Sequence, residues 1–355
     1  MENKNSKPLR KVLQIMGLAS SLLAAIAISS CCSQVNQPTT ALSSAVVDCR
    51  AIEHEMGKTE ICGTPQRIIV LGPYVLESLL ALNVQPVGYA DHIAFHQEDY
   101  TDPSQQIPYL GNQITQPIAN VGLAHTPSIE SLAKVKPDLI LGTKLMNREQ
   151  YETLSKLVPT VLVEYNHTDK KLKTLAQALN RSEQVDQLVA QTAKQVEAAQ
   201  KNFAPLVTTH PKVALLSVSE SLEITFSYDG GLCHSLVETL GFQLVGPSGL
   251  DQGNSNPSVP ISLEALPQFN DADLFILLRH NFNDLKQFEG MDRFEEQQLS
   301  KLKQAWEGNA IAQSLDASQS GRVYFIPVYL CAGLPGSIGT ELYLNELKQQ
   351  LLSIQ

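Results

Sequence analysis

What this 355-residue sequence lacks narrows its function before any motif is read. It has no Gly-x-Ser-x-Gly, no phosphate-binding glycine loop and no His-Glu-x-x-His, so the usual signatures of hydrolases, nucleotide enzymes and zinc peptidases are missing. It has no Cys-x-x-Cys, which removes zinc-knuckle and thioredoxin-type readings. Positive charge is scarce: 26 Lys and Arg stand against 36 Asp and Glu, a net charge of −10. Such a surface does not suit nucleic acid or an anionic membrane. No apolar run after residue 30 is long enough to cross a bilayer. The single tryptophan, Trp306, sits in a helical stretch and reads as core.

The first thirty residues are of another kind. Lys4, Lys7, Arg10 and Lys11 precede an uncharged, mostly apolar run from Val12 to Ile28. That pattern is an export signal, with an uncleaved anchor as the alternative. Ile28-Ser29-Ser30-Cys31 resembles a bacterial lipobox, in which Cys31 is lipidated and becomes the new N-terminus; the neighbouring Cys32 leaves the register open by one residue. Losing residues 1–30 removes four positive charges and one negative charge, taking the net charge from −10 to −13. Residues 31–47 are rich in Ser, Thr, Gln and Pro and read as a flexible tether. Cys49 and Cys62 flank a turn at Met56-Gly57-Lys58. In an oxidising compartment this reads as a disulfide-closed hairpin, against the alternative of two buried thiols. Cys233 and Cys331 are the other candidate pair.

From Pro65 strands and helices alternate, which predicts a parallel sheet covered on both faces. PSIESLAKVKPDLIL (127–141) is echoed about 134 residues later by ISLEALPQFNDADLFIL (261–277). The echo extends further: Arg67 to Leu71 matches Lys212 to Leu216, and Gln85 to Gly88 matches Phe242 to Gly246. Between the two halves, 168–204 contains neither Gly nor Pro and carries apolar residues at helical spacing. Other helices are expected over Arg148 to Leu157 and Glu341 to Leu352. The organisation expected is a signal peptide (1–30), a tether (31–47), an α/β lobe with a disulfide hairpin (48–167), a helical segment with an interlobe backbone helix (168–204) and a second α/β lobe (205–355), with a ligand cleft between the lobes.

Over residues 48–352 the sequence resembles the helical-backbone class of ABC-transporter substrate-binding proteins for iron–siderophore complexes. The resemblance rests on Asp48-Cys49-Arg50 with Cys62, PQRIIVLGPYVLESLLALNVQPVGYAD (65–91), VGLAHTPSIESLAKVKPDLIL (121–141), the second echo and GRVYFIP (321–327). GYADHIAF with VGLAHTPSIESL is nearest the ferric-hydroxamate branch. That branch usually has an arginine after VGL, where this chain has Ala124 and then His125, so the siderophore chemistry stays open. The resemblance implies that Glu130 and Glu264 dock onto arginines of a permease dimer. Helix capping by Ser128 and Ser262, with a first-turn glutamate, is the plainer reading of the same residues.

Ligands of α/β sheets sit beyond the carboxyl ends of strands. The candidates there are Tyr74, Tyr89, His92, Lys144, Arg148, Tyr228, Arg279 and Tyr329, on loops including Ser217 to Tyr228 and Arg279 to Asn283. Aromatic faces and cations suit a chelate whose iron is already saturated, so no direct metal ligand and no cofactor is expected. The alternatives are haem, cobalamin, or a transition metal held by His92, His96, His125 and His280; a lipid-anchored hydrolase is the rival of a different class. The expected protein is a monomer on the periplasmic side of a bacterial membrane, lipid-anchored, partnered by a permease dimer and a ferric siderophore but not by nucleic acid.

Overall fold

Short apolar runs bounded by Gly, Pro or Asp become strands buried on both faces, as expected where helices cover a parallel sheet. The computed structural model describes residues 48–165, 168–219, 221–227, 230–247, 258–279 and 291–352. The export signal, Cys31 and the tether to 47 lie outside the described residues.

The described chain opens with an antiparallel hairpin, β1 (Cys49–His54) and β2 (Gly57–Cys62), in which Cys49 pairs with Cys62 in register and is bonded to it. Then come β3 (Ile68–Leu71), α1 (Pro73–Ala81), β4 (Gly88–Asp91), α2 (Pro103–Gln106), β5 (Ala119–Leu123), β6 (Thr126–Pro127), α3 (Ile129–Val135), β7 (Leu139–Thr143), α4 (Lys144–Asn147), α5 (Tyr151–Leu157) and β8 (Thr160–Val163). The sheet order is β6-β5-β4-β3-β7-β8, parallel except for β6 against β5.

α6 (Thr168–Ala178) leads into α7 (Val185–Thr209), 25 residues or roughly 37 Å of helix. The helix runs past the expected end at 204 and through Pro205. Proline removes the donor to the Lys201 carbonyl. Both residues are exposed, so this carbonyl is not shut away from solvent.

The second lobe comprises β9 (Lys212–Val218), β10 (Ile224–Ser227), α8 (Leu232–Thr239), β11 (Gln243–Leu244), β12 (Ser258–Ile261), β13 (Leu274–Arg279), α9 (Met291–Glu307), α10 (Ala310–Ser314), α11 (Asp316–Gln319), β14 (Val323–Pro327) and α12 (Ser337–Leu352). The order is β12-β10-β9-β13-β14, with β11 also on β9. β13 is parallel to β9 and β14, whereas β10 is antiparallel to both of its neighbours. Ser217 to Tyr228, expected as a cleft loop, is thus largely a hairpin. Its turn is closed by Ser219 N–H donating to the Glu223 carbonyl at 2.9 Å, with Leu222 at φ 58. The helix expected over Arg148 to Leu157 starts later, as α5 at Tyr151, and a separate α4 precedes it, started by Thr143 Oγ1 accepting from Met146 N. The echo of Gln85 to Gly88 shrinks to the two residues of β11.

The second copy of the repeated motif also folds differently. In α3, Ser128 Oγ accepts from Ser131 N at 3.2 Å. Leu263–Phe269 is instead a 3₁₀ helix containing Pro267, and Ser262 makes no side-chain cap. Pro267 has no N–H to give an α-helical bond.

The cores do not divide cleanly between lobes. The largest apolar cluster joins Val75, Leu79, Tyr89 and Tyr100 of the first lobe with Phe294, Tyr329 and Leu334 of the second. α12 packs on both α7 and α1.

Candidate functional site

β7 is buried throughout, and its carboxyl end delivers α4 to a surface concavity of about 600 Å³. The buried Asn147 side chain sets this mouth. Its Nδ2 donates to the Ala124 carbonyl at 2.5 Å and its Oδ1 accepts from Thr143 N at 3.2 Å. Gly142 makes room, since a Cβ there would lie 2.4 Å from Asn147 Oδ1. The β5–β6 turn is thereby tied to α4, and His125 and Thr126 share the concavity with Lys144, Leu145, Arg148, Gln150 and Glu164.

Lys144 is a compensated cation. Its Nζ lies 3.1 Å from Glu164 Oε1 and 3.6 Å from Glu55 Oε2. Glu55 also takes Lys170 Nζ at 2.5 Å. Glu164 first, then Glu55, holds the Lys144 ammonium above its ordinary pKa. The Lys170 hydrogen bond is the largest cause holding the Glu55 carboxyl below the usual range. Arg148 is exposed, and no carboxylate among the described residues lies within ion-pair distance of it.

A second constellation fills the seam between the lobes. His92 Nδ1 and N–H both meet Asp91 Oδ1 at 2.6 Å. The His92 ring packs against Tyr74 at 5.6 Å and Tyr329 at 5.5 Å. Tyr109 stacks on Tyr329 at 5.5 Å, and Phe294 meets Tyr329 edge-on at 5.9 Å. Tyr165 OH donates to the Ala332 carbonyl, another bridge across the seam. Burial pushes the Tyr74, Tyr89 and Tyr329 phenols up, with the Asp91 charge adding to each. Burial likewise raises Tyr165, to about 12.

The predicted ligand residues therefore part company. Lys144 and Arg148 line the concavity. Tyr74, Tyr89 and Tyr329 are at most 5% exposed and belong to the seam, and His92 packs with them. Arg279 ends β13 and is 1% exposed. Tyr228, His280 and Asn283 lie outside the described residues. His96 turns away from His92, sharing a 3.1 Å contact with Gln106. Among the described residues the one three-ligand group is Cys49, Glu60 and Cys62, whose sulfurs are already bonded to each other. Glu130 and Glu264 are both exposed, and Glu130 pairs with Lys134 at 2.8 Å.

Sequence reasoning missed Glu55, Glu164 and Gln150. Leu145, 65% exposed, lies in the stretch Gly142 to Arg148 that the sequence already placed beyond a strand end.

A family profile described as "Periplasmic binding protein" matches residues 68–330. The chain is 27% identical over 323 residues to the Fe(3+)-citrate-binding protein YfmC of Bacillus subtilis, covering 88% of this chain and 89% of that protein. It is 28% identical over 263 residues to the ferric-anguibactin-binding protein FatB of Vibrio anguillarum, covering 70% and 72%. Among solved structures it is similar in fold to Staphylococcus aureus SirA complexed with staphyloferrin B, with a TM-score of 0.65, 23% identity and coverage of 85% and 98%.

Proposed function

The chain belongs to the periplasmic binding protein family, and on that premise we propose that it captures a ferric siderophore outside the cytoplasm and hands it to the permease of an ABC importer. Several of its relatives are named for what they bind: Fe(3+)-citrate, ferric anguibactin, achromobactin and iron(3+)-hydroxamate. The family's task is solute binding, not catalysis. The observation that carries the reading is the concavity at the strand ends, where Arg148, in no ion pair among the described residues, stands beside His125 and an exposed Leu145. Such a wall offers a donor and apolar surface to a chelate. Cys31 takes the lipid, residues 31–47 tether the body, and the protein acts as a monomer; metabolic labelling with palmitate, lost in Cys31→Ala, checks the anchor.

Titration of the purified protein with a panel of ferric complexes and with Zn²⁺ tests the assignment. At least one ferric complex should bind. Arg148→Ala should weaken that binding by about 1–2 kcal/mol, the loss of a charge-assisted hydrogen bond at a partly exposed site. Tight binding of bare Zn²⁺ with no ferric complex bound would refute it.

Glu130 and Glu264 are the permease feet. Glu130→Lys with Glu264→Lys should leave affinity in solution unchanged and abolish most uptake in cells, because like charges would meet across the interface. Full uptake by this double variant would reduce both glutamates to helix-start residues.

A further inference from the structure

Resting on that reading, we infer that the first-lobe wall selects ferric complexes of zero or positive net charge and disfavours multiply anionic ones. A site for a polyanion would present several free cations. This wall presents Lys144 already shared between Glu164 and Glu55. Its remaining cation, Arg148, is offset by the neighbouring Glu149, which lines the same concavity. Lys144 and Arg148 against Glu149 and Glu164 sum to zero, and Glu55 behind Lys144 is matched by Lys170, so the local sum stays at zero.

The compensation is built in. Glu55 sits at the tip of the hairpin closed by the Cys49–Cys62 bond, and its backbone N–H donates to the Leu162 carbonyl at 3.0 Å. The hairpin thus delivers a carboxylate to the base of the ligand wall, where its side chain is 14% exposed. Acceptors also line the concavity beside the Arg148 guanidinium. The Glu164 side chain keeps 32% exposure, and Gln150 holds a buried Oε1 with no hydrogen-bond partner. A ligand ammonium or hydroxyl satisfies these groups; a carboxylate would be repelled. Over longer range, the net charge of −13 left after loss of residues 1–30 disfavours the approach of anions.

The test is equilibrium titration of the purified protein at pH 7 and low salt with three Fe(III) probes. One is a linear trihydroxamate bearing a free amine, one is a neutral cyclic trihydroxamate, and one is ferric dicitrate. The cationic and neutral complexes should bind about tenfold or more tighter than dicitrate. Glu55→Gln and Glu164→Gln each remove one of the two carboxylates on Lys144 and should improve dicitrate binding by about threefold to tenfold while weakening the cationic probe. A gain of affinity cannot arise from misfolding. Dicitrate binding tightest to the unaltered protein, or a ranking unmoved by both variants, overturns the inference and leaves the proposed function standing. Failure of all three ferric probes removes the proposed function and the inference together.

Discussion

Glu77→Ala should lower the unfolding free energy by about 3–5 kcal/mol, the range for removing one partner of a buried ion pair. Glu77 on α1 is fully buried, and Lys171 Nζ of α6 lies 4.0 Å from its Oε1. Oε2 accepts from Gly339 N at 3.2 Å, in the first turn of α12. Gly336 permits this approach, since a Cβ there would lie 2.6 Å from Oε1. One carboxylate therefore joins the first lobe, the connecting helices and the start of the last helix of the second lobe. Without it, the Lys171 ammonium keeps, among the described residues, the Tyr74 carbonyl at 3.3 Å, and the helix start loses its acceptor. Urea unfolding at pH 8 measures the loss; a change below about 1 kcal/mol would contradict the assignment.

The same group gives a pH signature. Burial pushes the Glu77 carboxyl from its ordinary 4.5 up to about 7, against the opposing pull of Lys171 and the Gly339 and Gly336 amides. The folded state thus binds this proton more tightly than the unfolded chain. Its contribution to stability is largest below about pH 4.5 and declines as pH rises through about 7. Lys171 is shifted the other way, its pKa lowered by burial, so its contribution improves with pH in the alkaline range. Glu77→Gln retains an acceptor for the amides and should flatten the slope between pH 4.5 and 7.

Removing the second disulfide should cost comparably. Cys233 on α8 and Cys331 beyond β14 are bonded across 98 residues, whereas Cys49 and Cys62 are 13 apart. Chain-entropy reckoning assigns roughly 4–5 kcal/mol to the longer closure and about 3 to the shorter. Cys233→Ala with Cys331→Ala should therefore lower the urea midpoint more than Cys49→Ala with Cys62→Ala. Burial of both long-range cysteines, at 3% and 1% exposure, should also make that bond slow to reduce in the folded protein. Equal midpoints for the two double variants would count against the entropic account.

The two-lobed α/β plan was legible because strand periodicity and the repeated motif are local signals. β7 and β13 fall within a residue or two of where their apolar runs placed them. What failed was set by partners distant in sequence. Nothing near Lys144 announces that Glu55, some ninety residues earlier, compensates it. Tyr74 and Tyr329 read as ligand-facing because each follows a strand, yet they meet one another's neighbours in a closed aromatic seam. The 3₁₀ geometry at Leu263–Phe269 was foreshadowed by Pro267, a local cue that the strength of the echo obscured. Trp306 was rightly read as core; its indole donates to Ser318 within the second lobe.

The shared apolar core has a consequence for how the chain acquires its shape. A polypeptide made or exported N-terminus first presents residues 48–165 well before Phe294, Tyr329 and Leu334 emerge, although these complete the interior around Tyr89 and Tyr100. The leading half is a repeat by sequence, yet its interior is closed only by residues from the last quarter of the molecule. Residues 48–165 made alone are therefore expected to fold less stably than the whole chain.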